Sequence, residues 1–232
     1  MRTSLEREEK MLEELTISRR HVMKSFFAFS LAGGLGLAGT GARAQVNTGK
    51  KPLIVYFSMP ETDKPDGMTR EEANSTVVIN GKVLGNTQYV ALLIQKYTGG
   101  DIFRIEAKTP YPTDHETLVD LAKEEQNRSA RPALLHNVPN LKDYDTIFLG
   151  YPNWWGDMPM ILYTFLETHD LSGKTVIPFN THGGSGFSDT IATIQTLAPK
   201  ATVLTRGFTV SRSRVDRSEP DLKAWVERLG WK

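Results

Sequence analysis

From Pro52 onward the apolar positions of the chain change period in a regular way. Pro52-Leu53-Ile54-Val55-Tyr56-Phe57-Ser58 is a continuous apolar run ending in a small hydroxyl residue, the pattern of a central parallel strand buried on both faces. Residues 86–98 then space Val90, Leu93, Ile94 and Tyr97 along one stripe, which predicts a helix. Residues 101–105 alternate, as a strand nearer an edge does. Residues 113–129 predict a helix with Leu118, Leu121 and Ala122 on its apolar face and acids on the other. The alternation continues through a strand at 146–150, a helix at 159–167, a strand at 175–180, a helix at 189–197, a strand at 203–208 and a last helix at 219–229.

Five strands alternating with helices argue for an α/β fold, because parallel neighbours need crossovers that cover the sheet. Five strands at this length fit a three-layer sandwich, its parallel sheet ordered 2-1-3-4-5 with helices on both faces, better than a longer dinucleotide-binding sheet. One segment breaks the rhythm. Residues 59–85 form an excursion of 27 residues where a βα connection of about 2 to 6 is usual. Its first half, Pro60 through Gly67, is turn-rich and reads as a solvated loop. Its second half, Thr76 through Leu84, reads as a hairpin turning at Asn80-Gly81.

Ahead of this domain the pattern is different. Arg19 and Arg20 precede the apolar, Gly-rich stretch 26–38, and Ala42-Arg43-Ala44 has the small-x-small form of a cleavage site. Residues 1–44 therefore resemble a twin-arginine signal peptide, with residues 45–232 as the exported, periplasmic domain. The stretch is interrupted by Ser30, Gly33, Gly34 and Gly36 and is too short to remain as a bilayer-spanning helix, so no stable membrane anchor is expected once the signal is removed. Removal leaves 188 residues with 21 basic and 22 acidic side chains. Such a near-neutral domain, without a basic run, carries no footprint for nucleic acid. The absence of cysteine excludes disulfides, thiolate metal sites and thiol nucleophiles.

The chemistry gathers in loops at the carboxyl ends of strands, where open α/β sheets bind ligands. The first holds Ser58 and, after the excursion, Gly85-Asn86-Thr87 at a helix start, where hydroxyls and unpaired N–H groups suit an anion. The second is Gly150-Tyr151-Pro152-Asn153-Trp154-Trp155-Gly156-Asp157. Its adjacent tryptophans are well placed to stack on a flat ligand or to fold back over a helix. The third is Thr181-His182-Gly183-Gly184-Ser185-Gly186, polar and Gly-rich before a helix. His115, Glu116 and Asp120 lack a second pair of metal ligands and read as a solvated acidic face. Arg206, Arg212, Arg214 and Arg217 read either as scattered surface charge or as a dock for an anionic partner.

Taken in order, Val55-Tyr56-Phe57-Ser58, Gly85-Asn86-Thr87, Tyr111-Pro112-Thr113-Asp114 and the second and third loops resemble the flavodoxin family, most closely its short-chain, flavodoxin-like branch. The resemblance spans roughly 52–229. It implies flavin mononucleotide (FMN) as cofactor. Ser58, Asn86 and Thr87, with Gly85 as a backbone donor, would hold the phosphate. Pro152, Asn153, Trp154, Trp155 and Gly156 would line one side of the isoalloxazine ring, and Thr181, His182, Gly183, Gly184 and Gly186 the other. Which tryptophan stacks is open. The sequence departs from the family by splitting the compact phosphate loop, with Met59-Pro60-Glu61 standing where small residues would continue.

Three functions follow from these readings. One is an FMN electron carrier; a second is an oxidoreductase that reduces a small acceptor such as a quinone, its electrons drawn from a membrane quinol or another redox protein. The third is a flavin-free binding or interaction module that kept the fold. The near-neutral charge disfavours a carrier that docks on basic partners, and the enlarged first loop suits a substrate pocket.

Overall fold

In the computed structural model, residue 46 and residues 49–231 are described; the proposed signal peptide, 1–44, lies outside them. The central strand β1 (Leu53–Tyr56) pairs in parallel with β4 (Asp101–Arg104) on one side and β5 (Thr146–Pro152) on the other. β5 pairs with β6 (Thr175–His182), and β6 pairs with two short edge pieces, β7 (Thr202–Val203) and β8 (Phe208–Ser211). Every one of these pairings is parallel. Counting β7 and β8 as one interrupted strand, the order is 2-1-3-4-5, as the alternation of strand and helix predicts.

Side-chain alternation along the strands divides the core into two layers. Leu53, Val55, Ile147 and Leu149 pack into one buried cluster with Leu118, Ile161, Phe165 and Ile194, which belong to α3 (His115–Asn127), α4 (Met160–Thr168) and α5 (Thr190–Leu197). Phe148, on the opposite face, meets the rings of Trp225 and Trp231 at 5.7 and 5.4 Å. Trp225 lies on α6 (Glu219–Arg228), which packs beside α2 (Asn86–Thr98). Gly150 belongs to this second face, opposite Phe179 in register; a Cβ at Gly150 would overlap the Phe179 ring, so only glycine lets that ring lie flat across β5.

One sequence reading is corrected. The single strand expected at 203–208 is broken between β7 and β8. Between Val203 and Phe208 the edge strand advances five residues while its partner advances from Val176 to Phe179. Pro178 sits in that interval. The Leu204 N–H donates to the Val176 carbonyl, so the groups of β6 that face the edge include position 178, where proline has no N–H to give. Within the excursion, residues 60–67 are turn-rich as expected. Between them and the hairpin lies a short helix that the sequence reading did not mark, α1 (Arg70–Ser75), opened by a capping box in which the Thr69 hydroxyl accepts from the Glu72 N–H and the Glu72 carboxylate from the Thr69 N–H. The hairpin is present as predicted: β2 (Thr76–Ile79) and β3 (Lys82–Gly85) are antiparallel around Asn80 and Gly81, both at positive φ. The turn is the type I′ that Asn-Gly favours.

Candidate functional site

β6 carries the geometry of the site because its last residues are registered on both sides. Thr181 lies opposite Pro152 of β5 and Val210 of β8, and His182 lies opposite Ser211. The second and third loops therefore leave the sheet side by side. The Asn153 N–H donates to the Thr181 carbonyl at 2.8 Å, extending the ladder by one step. The Asn153 Nδ2 donates to the Gly186 carbonyl at 3.1 Å, and Asn180 Nδ2 donates to the same oxygen at 2.7 Å. Asn153 and Gly186 stitch the two loops together. The Gly184 N–H donates to His182 Nδ1 at 2.9 Å, which leaves the ring proton on Nε2, and burial lowers the His182 pKa so that the neutral ring is favoured.

The second loop separates the two tryptophans. Trp154 and Asp157 exchange backbone hydrogen bonds of 2.8 and 3.0 Å, closing a tight turn with φ of 55° at Trp155 and 80° at Gly156. A bulky residue at positive φ is uncommon and holds the side chain at the tip. Trp154 points inward, edge-on to Phe57 at 5.5 Å and to Tyr111 at 5.7 Å. Trp155 stays 53 % exposed. It is tethered by Nε1, which donates to the Val119 carbonyl at 3.2 Å, and by Lys123 Nζ 5.2 Å from the ring centre. Trp154 plugs the base of the site, and Trp155 offers an indole at its mouth.

At the first loop, Ser58 Oγ accepts from the Gln88 N–H at 3.3 Å, inside the first turn of α2. A Cβ at Gly85 would overlap that hydroxyl, so glycine here lets Ser58 Oγ keep its place against the first turn of α2. Gly85, expected to donate its backbone N–H to a ligand, instead gives it to Gln88 Oε1 at 3.2 Å. The Asn86 Nδ2 donates to the Asn74 carbonyl at 2.8 Å, whereas Asn86 Oδ1 is buried with no partner in a residue only 5 % exposed. Thr87 and Thr181 share a hydrogen bond between their hydroxyls at 2.8 Å.

These elements enclose an open cavity of about 270 Å³, near the low end of the range for small-molecule sites. Every residue assigned to the flavin from the sequence lines it except Gly85, Gly156, Gly184 and Gly186. One end is polar, built from Ser58, Asn86, Thr87 and Thr181; the other is apolar, with Pro152, Trp154 and Trp155 facing Leu118, Val119 and Ala122 of α3. The excursion adds Met59, Glu61, Asn74 and Ser75 to the lining. Glu61 is buried, its backbone N–H donating to Ser75 Oγ at 3.1 Å, and its carboxylate accepts from His115 Nδ1 at 2.9 Å. Burial raises the Glu61 pKa, against the pull of His115.

Four of these contributors were not legible in the sequence as site residues. Glu61 sits in a loop with no periodicity, Asn74 and Ser75 in a helix one turn and a half long, and His115 beside acids that read as a solvated face. A fifth, Arg212, lines the cavity from the 3₁₀ turn that follows β8; within the sequence it is one of several arginines with nothing to distinguish it. Its guanidinium would lie 3.3 Å from a Cβ at Gly183.

The flavodoxin family model matches residues 76–229. The chain belongs to the flavodoxin family. Among solved structures, this flavodoxin-family chain is similar to a candidate flavoprotein of Bacteroides uniformis, at 29 % identity over 76 % of this chain and 97 % of that one, with a TM-score of 0.59. It is similar in the same way to a candidate flavoprotein of Bacteroides eggerthii, at 28 % identity over 78 % and 99 %, TM-score 0.58. A flavoprotein of Lactobacillus acidophilus, solved in complex with FMN, shares the fold at 20 % identity over 72 % and 97 %, TM-score 0.51. A search of curated proteins finds no match. The family match begins at Thr76, so the first strand and most of the excursion lie ahead of it. Among the described residues no helix is long and apolar enough to cross a membrane.

Proposed function

We propose that this chain is an FMN-binding redox protein that passes electrons to a small acceptor such as a quinone, or to a protein partner, after export by the twin-arginine route. The observation that carries the cofactor is Asn86 Oδ1, a buried acceptor with no partner on the wall of the cavity. An orphaned buried acceptor costs roughly 1 to 3 kcal/mol, and a hydroxyl of the sugar-alcohol chain of FMN would satisfy it. Ser58, Thr87 and Thr181 supply hydroxyls at the same end, beside the first turn of α2, whose N–H groups lack intrahelical acceptors. At the apolar end, Trp155 is the stacking face and Trp154 the plug beneath it. Family membership and the FMN complex of a relative with the same fold support the reading.

Bound there, FMN supplies the redox chemistry, and the protein positions and tunes it. Pro152, Trp154 and Trp155 would cover one side of the bound ring, and neutral His182, with its proton on Nε2, would line the other. The excursion adds Met59, Glu61, Asn74 and Ser75 to the cavity wall, which favours an acceptor small enough to enter over one that docks from outside. Denaturing the purified protein is expected to release a yellow, fluorescent flavin in near-stoichiometric amount. Colourless protein that free FMN cannot reconstitute would return the chain to a flavin-free module.

Export in the folded state suits a domain that acquires its cofactor before crossing. Replacing Arg19 and Arg20 by lysine is expected to strand precursor inside the cell, and the mature N-terminus is expected near Gln45. Normal export of the double variant overturns this part of the proposal.

A further inference from the structure

We propose that Arg212 neutralises the phosphate of the bound FMN, taking over the role that a compact, continuous phosphate loop would play; this rests on the FMN reading above. The strand register sets the position. His182 opposite Ser211 puts the next residue, Arg212, beside Gly183 at the top of the sheet, and the absent side chain of Gly183 leaves room for the guanidinium. Thr181, two residues before Gly183, is bonded to Thr87 in the first turn of α2, and the arginine, both threonines and Asn86 all line the same cavity.

Charge points the same way. The lining contains four ionisable side chains: Glu61, His115, His182, whose neutral form is favoured, and Arg212. The first two form a pair at 2.9 Å. Arg212 joins no ion pair among the described residues, whereas its neighbour Arg214 reaches Asp221. The same cavity is lined by the hydroxyls of Ser58, Thr87 and Thr181 and by Asn86, whose Oδ1 has no partner, a donor set that an anion next to a guanidinium would suit. Neither Ser58-Met59-Pro60 nor Gly85-Asn86-Thr87-Gln88 contains a lysine or arginine, so within these segments no other side chain can supply the charge. A planar guanidinium can meet two phosphate oxygens at once, which an ammonium cannot.

The test compares FMN with riboflavin, which lacks the phosphate, by fluorescence titration of the flavin-stripped full-length protein. Arg212→Ala is expected to weaken FMN about 10- to 100-fold, the range of a charge-assisted hydrogen bond, and to change riboflavin affinity by less than about twofold. Arg212→Lys is expected to recover part of the loss, and the salt dependence of FMN binding is expected to flatten in Arg212→Ala. Arg212 is exposed, so the variants are expected to melt with the wild type. Equal weakening of both flavins, or unchanged FMN affinity, overturns the assignment of Arg212 while leaving the FMN reading intact. A wild type that binds neither flavin overturns both.

Discussion

Trp155→Ala is expected to leave the melting temperature within a degree or two of wild type and to weaken FMN binding by about 1 to 3 kcal/mol, the scale of aromatic stacking on a heterocycle. The two tryptophans differ in what holds them. Trp155 is 53 % exposed at the tip of a turn, anchored by one hydrogen bond from its ring to the Val119 carbonyl and by Lys123. Its removal costs little packing and takes away the open indole. Trp154 lies against Phe57 and Tyr111, whose ring contact of 5.6 Å completes a three-ring cluster. Trp154→Ala opens a void under the site, for which losses of about 3 to 5 kcal/mol are typical of fully buried rings; half-buried Trp154 is expected toward the lower end. Its effect on flavin should follow the lost support, so stability and affinity fall together. Calorimetric melts and flavin titrations of both variants decide the matter. If Trp155→Ala binds FMN normally and Trp154→Ala alone loses it without a change in melting temperature, the stacking roles assigned to the two rings are reversed.

Excision of residues 61–84, with Pro60 joined to Gly85, is expected to abolish turnover of a small quinone while flavin remains bound. The closure is geometrically short, because a Cβ on Gly85 would lie 3.2 Å from Pro60 Cδ. What the excision removes is specific: Glu61, Asn74 and Ser75 leave the cavity wall, the Glu61 partner of His115 is lost, and Asn86 Nδ2 loses the Asn74 carbonyl. Ser58, Thr87, Thr181 and both tryptophans lie outside the excised segment. Flavin affinity is therefore expected to drop by roughly the worth of one or two hydrogen bonds, about 0.5 to 3 kcal/mol in all. Quinone reduction, which needs an enclosed substrate, is expected to fall at least about 100-fold, as loss of positioning typically costs. Reduction of a one-electron acceptor from bulk solvent should persist. Stopped-flow reoxidation with each acceptor reads both effects. Unchanged quinone turnover would mean that the chain is a carrier and the excursion a decoration; loss of the flavin itself would make the excursion part of the cofactor site.

The readings that survived from sequence are those in which one period or one short motif carries the whole signal. A short buried run such as Leu53–Tyr56, ended by a small polar residue, fits a central strand, and Asn80-Gly81 between two short apolar stretches closes a hairpin by its own dihedral preferences. Alternation of strands and helices then argues for a parallel sheet covered on both faces, and five strands fit the order 2-1-3-4-5. The misses arose where a local signal was weak or a partner distant. Thr69 and Glu72 formed a readable capping box ahead of a helix too short to show a period. The break between β7 and β8 depended on Pro178, which lies on another strand.

The chain's own order of residues determined the fold class, the three loops at the carboxyl ends of the strands, and most of the side chains that line the cavity, because backbone propensity and apolar period act between neighbours in sequence. Only the tertiary structure decided how those side chains divide the work. Trp154 and Trp155 are chemically identical and adjacent; Phe57 and Tyr111 make the first a plug, and the helix at Val119 makes the second a face. Glu61 and His115 are 54 residues apart and become a pair only when the excursion folds over α3. Arg212 is one exposed arginine among several until the register of β8 against β6 sets it beside Gly183. Burial, charge compensation and proximity are properties of the packed molecule, and no stretch of sequence contains them.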